Sequence, residues 1–332
     1  RFPVIGKIYP DSLPFFSRIP YFLKPTTREA VWNLGQNAAG IAVRFRSDSP
    51  VIAVKWENTF NNSMKHMAPV GIKGLDLYCF IDGKWRFMNS AQPSGKTNQW
   101  QIISGMDATE REYMLYLPLY DGIHSLQIGV AAPSHIGQPS LPYPDTRKPI
   151  VFYGSSITQG ACASRPGMAA TNLIGRKLNV ETINLGFSGN AFIDYEVAEM
   201  MAHVDASAYV LDYVPNASPE QILEKTEKFV RILREKHPDV PLIFVEDPIF
   251  PHSKFDLRMA KEIKDKNDAM NQAFSSLKKQ GLKKIYLVKG RSLISANGES
   301  TVDGIHFTDC GFEQYVDAIL PILKKAINHK KK

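Results

Sequence analysis

The chain has 332 residues, enough for roughly two domains with their own cores, and its 44% hydrophobic content is typical of a globular protein. Basic residues exceed acidic ones by seven, but five of these charges lie near the C-terminus, at Lys324, Lys325, Lys330, Lys331 and Lys332. The rest of the chain carries no basic stripe, so we interpret these lysines as a solvated end and expect no nucleic-acid partner.

Three cysteines, Cys79, Cys162 and Cys310, are too few for a disulfide framework, although this does not exclude export. No apolar stretch approaches the length of a membrane span. No His/Cys cluster has metal-ligand spacing, and we expect neither a metal nor another cofactor. The chain begins with Arg1, as expected if a leader was removed by a signal peptidase or by the cloning design.

The first 130 residues show the period of two that is typical of β-strands. Apolar residues alternate over 41–45 and again over 51–56, with a Ser-Asp-Ser-Pro turn between them. Similar runs cover 75–81 and 124–130, each beside an Asp-Gly turn. We predict that residues 1–147 form an antiparallel, jelly-roll-like β-sandwich that acts as an accessory domain.

A proline-rich segment follows over residues 132–149. It contains Pro133, Pro139, Pro142, Pro144 and Pro149. This density excludes a helix or a central strand, so the segment predicts a linker, with the domain boundary between residues 147 and 148.

The four tryptophans all lie in the first third of the chain, at Trp32, Trp56, Trp85 and Trp100. Indole rings stack on sugars in some sandwich domains, but they are also ordinary core residues. The alternation of its strand favours core packing for Trp56, whereas Trp85 and Trp100 lie near turns and fit either role.

After the linker the pattern changes, and short apolar runs alternate with helical segments. The runs cover residues 151–153, 181–187, 208–214, 241–246 and 284–288. This alternation predicts a parallel sheet with helices on both faces, a three-layer α/β domain over residues 148–332.

Helix termini are marked as well. Ser218 and Pro219 form an N-cap and first turn, and Gly281 is expected to end a helix over 256–280. Thr308 is expected to cap the last helix.

A serine with a catalytic environment follows the first apolar run. Gly154 lets the chain bend sharply and leaves the hydroxyl of Ser156 exposed. Such a hydroxyl becomes a good nucleophile when an imidazole takes its proton and a carboxylate orients the imidazole. Asp303 and His306 are three residues apart, so a single turn can direct the carboxylate to the ring Nδ1. These residues predict a serine hydrolase.

Two polar turns offer donors for the oxyanion that forms on the attacked carbonyl. Gly189 in the loop 184–190 can present a free backbone N–H, and Asn216 follows the apolar run over 209–214. Every one of these pieces comes directly after a predicted strand, where open α/β sheets bind their ligands.

Two other site types are excluded. The elbow of α/β-hydrolases needs a glycine where this chain has Thr158, and a phosphate-binding loop needs a Gly-Lys-Ser/Thr sequence that does not follow Gly154.

Further residues have open interpretations. Glu246 and Asp247 follow a strand and could orient a substrate or anchor the next loop. His66 lies in a polar stretch that forms either a surface loop or a loop reaching toward a cleft.

The order Gly-x-Ser, Asn-x-Gly-x-Ser-Gly, strand ending in Asn, and Asp-x-x-His resembles the SGNH (GDSL-type) hydrolases of esters, over about residues 148–328. The resemblance implies a flavodoxin-like domain. The family's roles carry over to five residues: Ser156 as nucleophile, Gly189 and Asn216 as oxyanion donors beside the Ser156 N–H, and Asp303 and His306 as the rest of the triad.

A second resemblance covers residues 74–78, which look like the Gly-x-Asp-Leu-Tyr signature of the β-sandwich that precedes some bacterial hydrolases of this kind. Two positions depart from the family pattern. Ser155 replaces an aspartate before the nucleophile, which is expected to change the hydrogen bonding of that loop. Residues 215–217 read Pro-Asn-Ala in place of Gly-Asn-Asp, which removes a carboxylate beside the oxyanion amide.

The resemblance implies a carboxylic-ester hydrolase whose favoured substrates are O-acetyl groups on carbohydrate or polysaccharide. A lipid-ester or thioester hydrolase is the alternative. A carbohydrate-binding protein with a silent hydrolase fold is a second alternative, and the intact set of five site residues argues against it. The resemblance also implies export to the periplasm or the cell exterior.

Overall fold

A computed structural model describes residues 2–142 and 148–328. Two antiparallel sheets form most of the N-terminal region, with strand orders β1-β2-β7-β4-β5 and β6-β3-β8. The strands are β1 (Val4–Ile5), β2 (Ala42–Ser47), β3 (Ile52–Asn58), β4 (Leu75–Ile81), β5 (Lys84–Ala91), β6 (Thr97–Ile103), β7 (Arg111–Tyr116), β8 (Ile123–Val130) and β9 (Ile136–Gly137), which pairs with β2. Two short helices, α1 (Glu29–Gly35) and α2 (Pro69–Lys73), interrupt them.

The two sheets pack face to face, as the alternating pattern predicts. Phe45 and Leu115 from one sheet and Val54 and Trp56 from the other belong to one buried cluster. The sandwich prediction is therefore confirmed. The predicted linker contains the short strand β9 at the sheet edge, and Pro144 and the predicted boundary after residue 147 fall on the undescribed residues 143–147.

The C-terminal region is a parallel five-stranded sheet with the order β11-β10-β12-β13-β14. Its elements are β10 (Ile150–Gly154), α3 (Ser156–Gln159), α4 (Ala170–Leu178), β11 (Thr182–Gly186), α5 (Tyr195–Met201), β12 (Ala208–Asp212), α6 (Pro219–Lys236), β13 (Leu242–Val245), α7 (Leu257–Lys279), β14 (Ile285–Val288) and α8 (Asp309–Asn328). This is the flavodoxin-like strand order, in which the connections reverse direction between β10 and β12.

Helices cover both faces of this sheet. One buried cluster joins the strands to α5, α6 and most of α7, and a second joins them to α4 and α8. The predicted caps are present: the Ser218 side chain accepts the N–H of Gln221, Gly281 follows α7 with a φ of 85°, and Thr308 accepts the N–H of Gly311. The three-layer α/β prediction is confirmed.

The first forty residues differ from the expected all-β pattern. They contain α1 and a 3₁₀ turn at Tyr21–Thr26, and the buried side chains Ile19, Val31 and Trp32 pack into the core of the parallel-sheet domain. The apolar residues of this segment therefore contribute to the core of the parallel-sheet domain as well as to the core of the sandwich.

The four tryptophans differ in burial. Trp32, Trp56 and Trp85 are buried, whereas Trp100 is 36% exposed on β6.

The lysine-rich end is only partly a tail. Lys324 and Lys325 are exposed on α8, while residues 330–332 lie outside the described part of the chain. Among the described residues, no helix combines the length and apolar character needed to cross a bilayer.

Candidate active site

Ser156 lies where β10 passes into α3, at the carboxyl edge of the parallel sheet. No residue larger than glycine fits at position 154 without a steric clash, since a Cβ would lie 2.1 Å from Thr158 Oγ1 and 2.6 Å from the Asp212 carbonyl oxygen. The hydroxyl of Ser155 accepts the N–H of Ile157 at 3.2 Å and so caps α3. Serine at position 155 thus fixes the start of the helix that carries Ser156.

A continuous hydrogen-bonded chain joins Ser156 to His306 and Asp303. Ser156 Oγ lies 3.0 Å from His306 Nε2, and His306 Nδ1 lies 2.7 Å from Asp303 Oδ2. The other carboxylate oxygen of Asp303 accepts the backbone N–H groups of Ile305 and His306. With Nδ1 donating to the carboxylate, Nε2 is left to accept the serine proton.

The Asp303 carboxylate is held in its charged form. Partial burial by itself would raise its pKa, but the hydrogen bonds from the His306 ring and from the His306 and Ile305 N–H groups outweigh burial and lower the pKa to about 2. Asp303 therefore remains an acceptor for the imidazole throughout the neutral range.

The three residues predicted to supply oxyanion donors, Ser156, Gly189 and Asn216, line the same cavity. Gly189 adopts a left-handed φ of 65°, and a Cβ there would meet nothing within 4 Å. Glycine is therefore favoured here by the backbone conformation and not by a steric clash. Asn216 Oδ1 accepts the Ala191 N–H at 3.2 Å, which orients the amide and leaves its Nδ2 without an acceptor among the described residues.

One cavity of about 330 Å³ collects the predicted residues except Asp303, which lies behind the imidazole. Its lining combines apolar and polar side chains. They are Ser156, Ile157, Ser188, Gly189, Pro215, Asn216, Asp247, Phe250, Met259, Glu262, Lys266, Ile305 and His306. An ester placed in this cavity meets a nucleophile, a base and oxyanion donors together.

Two buried residues behind the site were missed by the sequence analysis. Gln159 accepts the Ser188 N–H at 3.0 Å and donates to the Leu119 carbonyl at 3.0 Å, so it ties the Gly189 loop to the sandwich. Asp212 accepts hydrogen bonds from Thr158 and Tyr315, and burial raises its pKa to about 7 despite those bonds. The sequence signal for these contacts was limited to the position of Gln159 shortly after Ser156 and of Asp212 shortly before Asn216.

The Gly-x-Asp-Leu-Tyr signature forms a clamp between the domains. Asp76, fully buried, accepts hydrogen bonds from Arg165 at 2.9 Å and from the Gly167 N–H at 2.8 Å. Tyr78 Oη accepts a further bond from Arg165 at 2.6 Å. The loop that holds Arg165 belongs to the parallel-sheet domain, so the signature has a structural explanation at the interface.

His66 reaches the site on a loop from the sandwich. Its ring centroid lies 5.3 Å from that of His306, and Cys162 Sγ donates to the His66 carbonyl at 3.3 Å. The ligand atoms of these three side chains lie within 4.8 Å of one another, a cluster that sequence spacing did not reveal. A metal there would compete with Ser156 or Asp303 for His306, and burial raises the pKa of Cys162 to about 12, which disfavours a thiolate.

Comparison with protein families places both parts of the chain. Residues 147–324 match the GDSL-like lipase/acylhydrolase family, and residues 1–136 match the GxDLY family, described as the N-terminus of SGNH-hydrolase-type esterases. A search of curated proteins finds no match.

Solved structures share the fold over nearly the whole chain. A protein from Bacteroides ovatus ATCC 8483, described as a GDSL-like lipase, is 38% identical with a TM-score of 0.94, covering 98% of this chain and 96% of its own. A salicylyl-acyltransferase from a tetracycline biosynthetic pathway is 17% identical with a TM-score of 0.76, over 94% and 90%. A family two carbohydrate esterase from Clostridium thermocellum, in complex with cellohexaose, is 12% identical with a TM-score of 0.62, over 87% and 93%. The chain therefore belongs to the GDSL-like lipase/acylhydrolase family and is an SGNH-type hydrolase that carries the GxDLY N-terminal domain.

Proposed function

We propose that this hydrolase removes O-acetyl groups from carbohydrate through an acyl-enzyme on Ser156. The observation that carries the proposal is the unbroken chain of hydrogen bonds from Ser156 through His306 to Asp303, opening into a cavity with a charged wall. The proposal includes export to the periplasm or the cell exterior.

In the proposed reaction, Ser156 Oγ attacks the acetyl carbonyl carbon while His306 Nε2 takes the hydroxyl proton. The carbonyl electron pair moves onto oxygen, and this oxyanion accepts hydrogen bonds from the N–H groups of Ser156 and Gly189 and from Asn216 Nδ2. Collapse breaks the bond to the sugar oxygen, which receives the proton from His306. Water then loses a proton to the same imidazole and attacks the acetyl-serine. The bond to Ser156 Oγ breaks, Oγ takes the proton back from His306, and acetate is released.

The cavity wall favours a polar alcohol over a lipid. Asp247, Glu262 and Lys266 line the same cavity as Ser156. A lipid chain lying against these groups would offer them no hydrogen bond, which is costly for polar and charged groups in a cavity. A sugar instead offers hydroxyls that bond to both signs of charge.

A lipid ester remains the second candidate. Phe250, Met259 and Ile305 give part of the cavity an apolar lining, and the relative from Bacteroides ovatus is described as a lipase. The carbohydrate esterase with cellohexaose shares the fold, but its identity is too low to transfer a substrate.

A panel of esters with one leaving group and acyl chains of two to twelve carbons distinguishes the candidates. We expect acetyl esters to be cleaved much faster than esters of about eight carbons or more, because a cavity of about 330 Å³ with charged groups in its lining offers a long chain little apolar surface. Ser156→Ala should lose on the order of a million-fold in turnover, while Ser275→Ala, on an exposed position of α7, serves as the matched control. Faster turnover of the long-chain esters would contradict the carbohydrate assignment, and near-normal activity of Ser156→Ala would contradict the mechanism.

A further inference from the structure

Asp247 is a buried carboxylate in the cavity that contains Ser156 and His306. It follows β13 and is only 3% exposed, yet it is one of the residues that line the cavity. Its backbone is fixed, since Asn267 accepts its N–H at 2.7 Å and donates to its carbonyl at 3.0 Å. These bonds to the Asp247 backbone fix the residue in the cavity that contains Ser156 and His306, and the Asp247 side chain takes no part in them.

The Asp247 carboxylate lacks the partners that its sequence neighbour has. Glu246 accepts hydrogen bonds from Asn271, Lys289 and the Gly290 N–H, so it anchors the loop. Asp247 Oδ1, in contrast, is buried without any hydrogen-bond partner among the described residues. Buried polar atoms are nearly always bonded, so an unbonded carboxyl oxygen in a substrate cavity is available to accept a hydrogen bond from a ligand.

A cation shares the cavity with this carboxylate. Lys266 donates to the Pro215 carbonyl at 3.1 Å and to Glu262 at 2.6 Å, which leaves one of its three ammonium protons. Burial raises the pKa of Asp247 to about 7, and the charge of Lys266 opposes this rise. Even so, Asp247 and Lys266 form no direct ion pair in the described part of the chain.

We propose that Asp247 and Lys266 form a subsite for a free hydroxyl on the alcohol part of the ester, beside the acetylated oxygen. This inference rests on the proposed function. A free hydroxyl can donate to the carboxylate and accept from the ammonium at once, whereas the alkyl or aryl group of a simple ester has no second hydroxyl to do so. The subsite thus selects partly acetylated polyols such as sugars.

The test compares two acetylated methyl glycosides, one with a free hydroxyl on the carbon next to the acetyl ester and one that lacks this hydroxyl. The wild type should prefer the first by about 10- to 100-fold in kcat/KM, because the deoxy substrate leaves the buried Asp247 carboxyl oxygen unbonded. Asp247→Leu keeps the approximate shape without an acceptor and should reduce this preference to below about threefold. Asp247→Asn keeps a neutral acceptor and should lie between the two.

Asp268→Leu is the matched control, because Asp268 is exposed on α7, pairs with Lys264 and does not line this cavity. It should keep the wild-type preference. Thermal unfolding checks that each variant folds, and Lys266→Met measures the same ratio if Asp247→Leu does not fold.

Two failures are distinguishable. If the wild type cleaves both glycosides equally well, or Asp247→Leu keeps the full preference, the subsite is wrong while acetyl esterase activity stands. If the wild type cleaves long-chain esters but neither glycoside, the proposed substrate class is wrong and the subsite falls with it.

Discussion

Ser156, His306 and Asn216 each have a partner that fixes their direction. His306 is bonded at both ring nitrogens, and the Asn216 amide is oriented by the Ala191 N–H. Because each side chain has a different part in the proposed reaction, their replacements should differ in cost.

For Asn216→Asp we expect a loss of about 100- to 1,000-fold in kcat with little change in the midpoint of thermal unfolding. The aspartate still accepts the Ala191 N–H, but it lacks the NH₂ donor for the oxyanion. Steady-state kinetics beside thermal unfolding provide the measurement. An Asn216→Asp enzyme with wild-type kcat would move the oxyanion role to another donor.

Asp247 also predicts how stability depends on pH. Its folded-state pKa is raised to about 7 from 3.8, so the folded protein binds the proton more tightly than the unfolded chain does. The stability contributed by this carboxyl is therefore present at low pH and is lost as pH rises between about 3.8 and 7. Lys266, Asp212 and Glu262 act on the same carboxyl.

Asp247→Asn removes this titration. We expect the difference in unfolding midpoint, variant minus wild type, to be more positive at pH 8 than at pH 4.5, by at least about 2 °C. Differential scanning calorimetry at both values gives the result, with Asp268→Asn as the exposed control. An equal difference at both values would show that Asp247 titrates normally.

At the level of elements, the loop after β11 is held from several sides. Gln159 accepts the Ser188 N–H, and Arg28 from the N-terminal segment bonds both Asn190 and Asp194. Gly189 lies between these supports in its left-handed conformation. The position of its N–H thus depends on residues far away in the chain.

Gln159→Met is expected to lower kcat by about 10-fold or more while changing KM much less. The methionine fills the same space but leaves the Ser188 N–H and the Leu119 carbonyl unbonded, which lets the loop carrying Gly189 move. The kcat and KM values of this variant are compared with those of Gln272→Met, an exposed replacement on α7. A pure loss of stability with an unchanged kcat would contradict a positioning role.

At the level of the whole molecule, the N-terminal region is built into the α/β domain. Arg18 is buried and donates to the carbonyls of Asn184 and Gly186 on β11, at 3.2 and 2.6 Å. Burial lowers its pKa to about 9, and its guanidinium lies over the Phe187 ring. Together with the Asp76 clamp, these contacts indicate that the sandwich shapes the site.

A chain limited to residues 148–332 is therefore expected to be poorly soluble or weakly active. This truncation removes Ile19, Val31 and Trp32, which exposes the apolar surface of the parallel-sheet domain that they cover. It also removes Arg18, the donor to the β11 carbonyls. Expression yield, unfolding midpoint and acetyl-ester turnover are the measurements. Full activity with an unchanged midpoint would show that the domains are independent.

The sequence alone determined the two-layer and three-layer folds and brought five site residues into one hypothesis. Local signals suffice for this, since strand period, caps and turns depend on near neighbours, and the carboxyl ends of parallel strands meet at one edge. Ser156 and Asn216 follow strands that pair directly, β10 and β12, so their proximity was predictable.

Only the tertiary structure decided which other side chains face the site. Gln159, His66 and Asp247 depend on contacts across the chain. The local sequence did not single out Gln159, it left His66 as a surface loop or a loop reaching toward a cleft, and it left Asp247 as a residue that orients a substrate or anchors a loop. Asp247 differs from Glu246 by one position, yet only the latter finds partners. The physical reason is that burial and unpaired polar atoms are properties of packing between distant segments, which no local pattern contains.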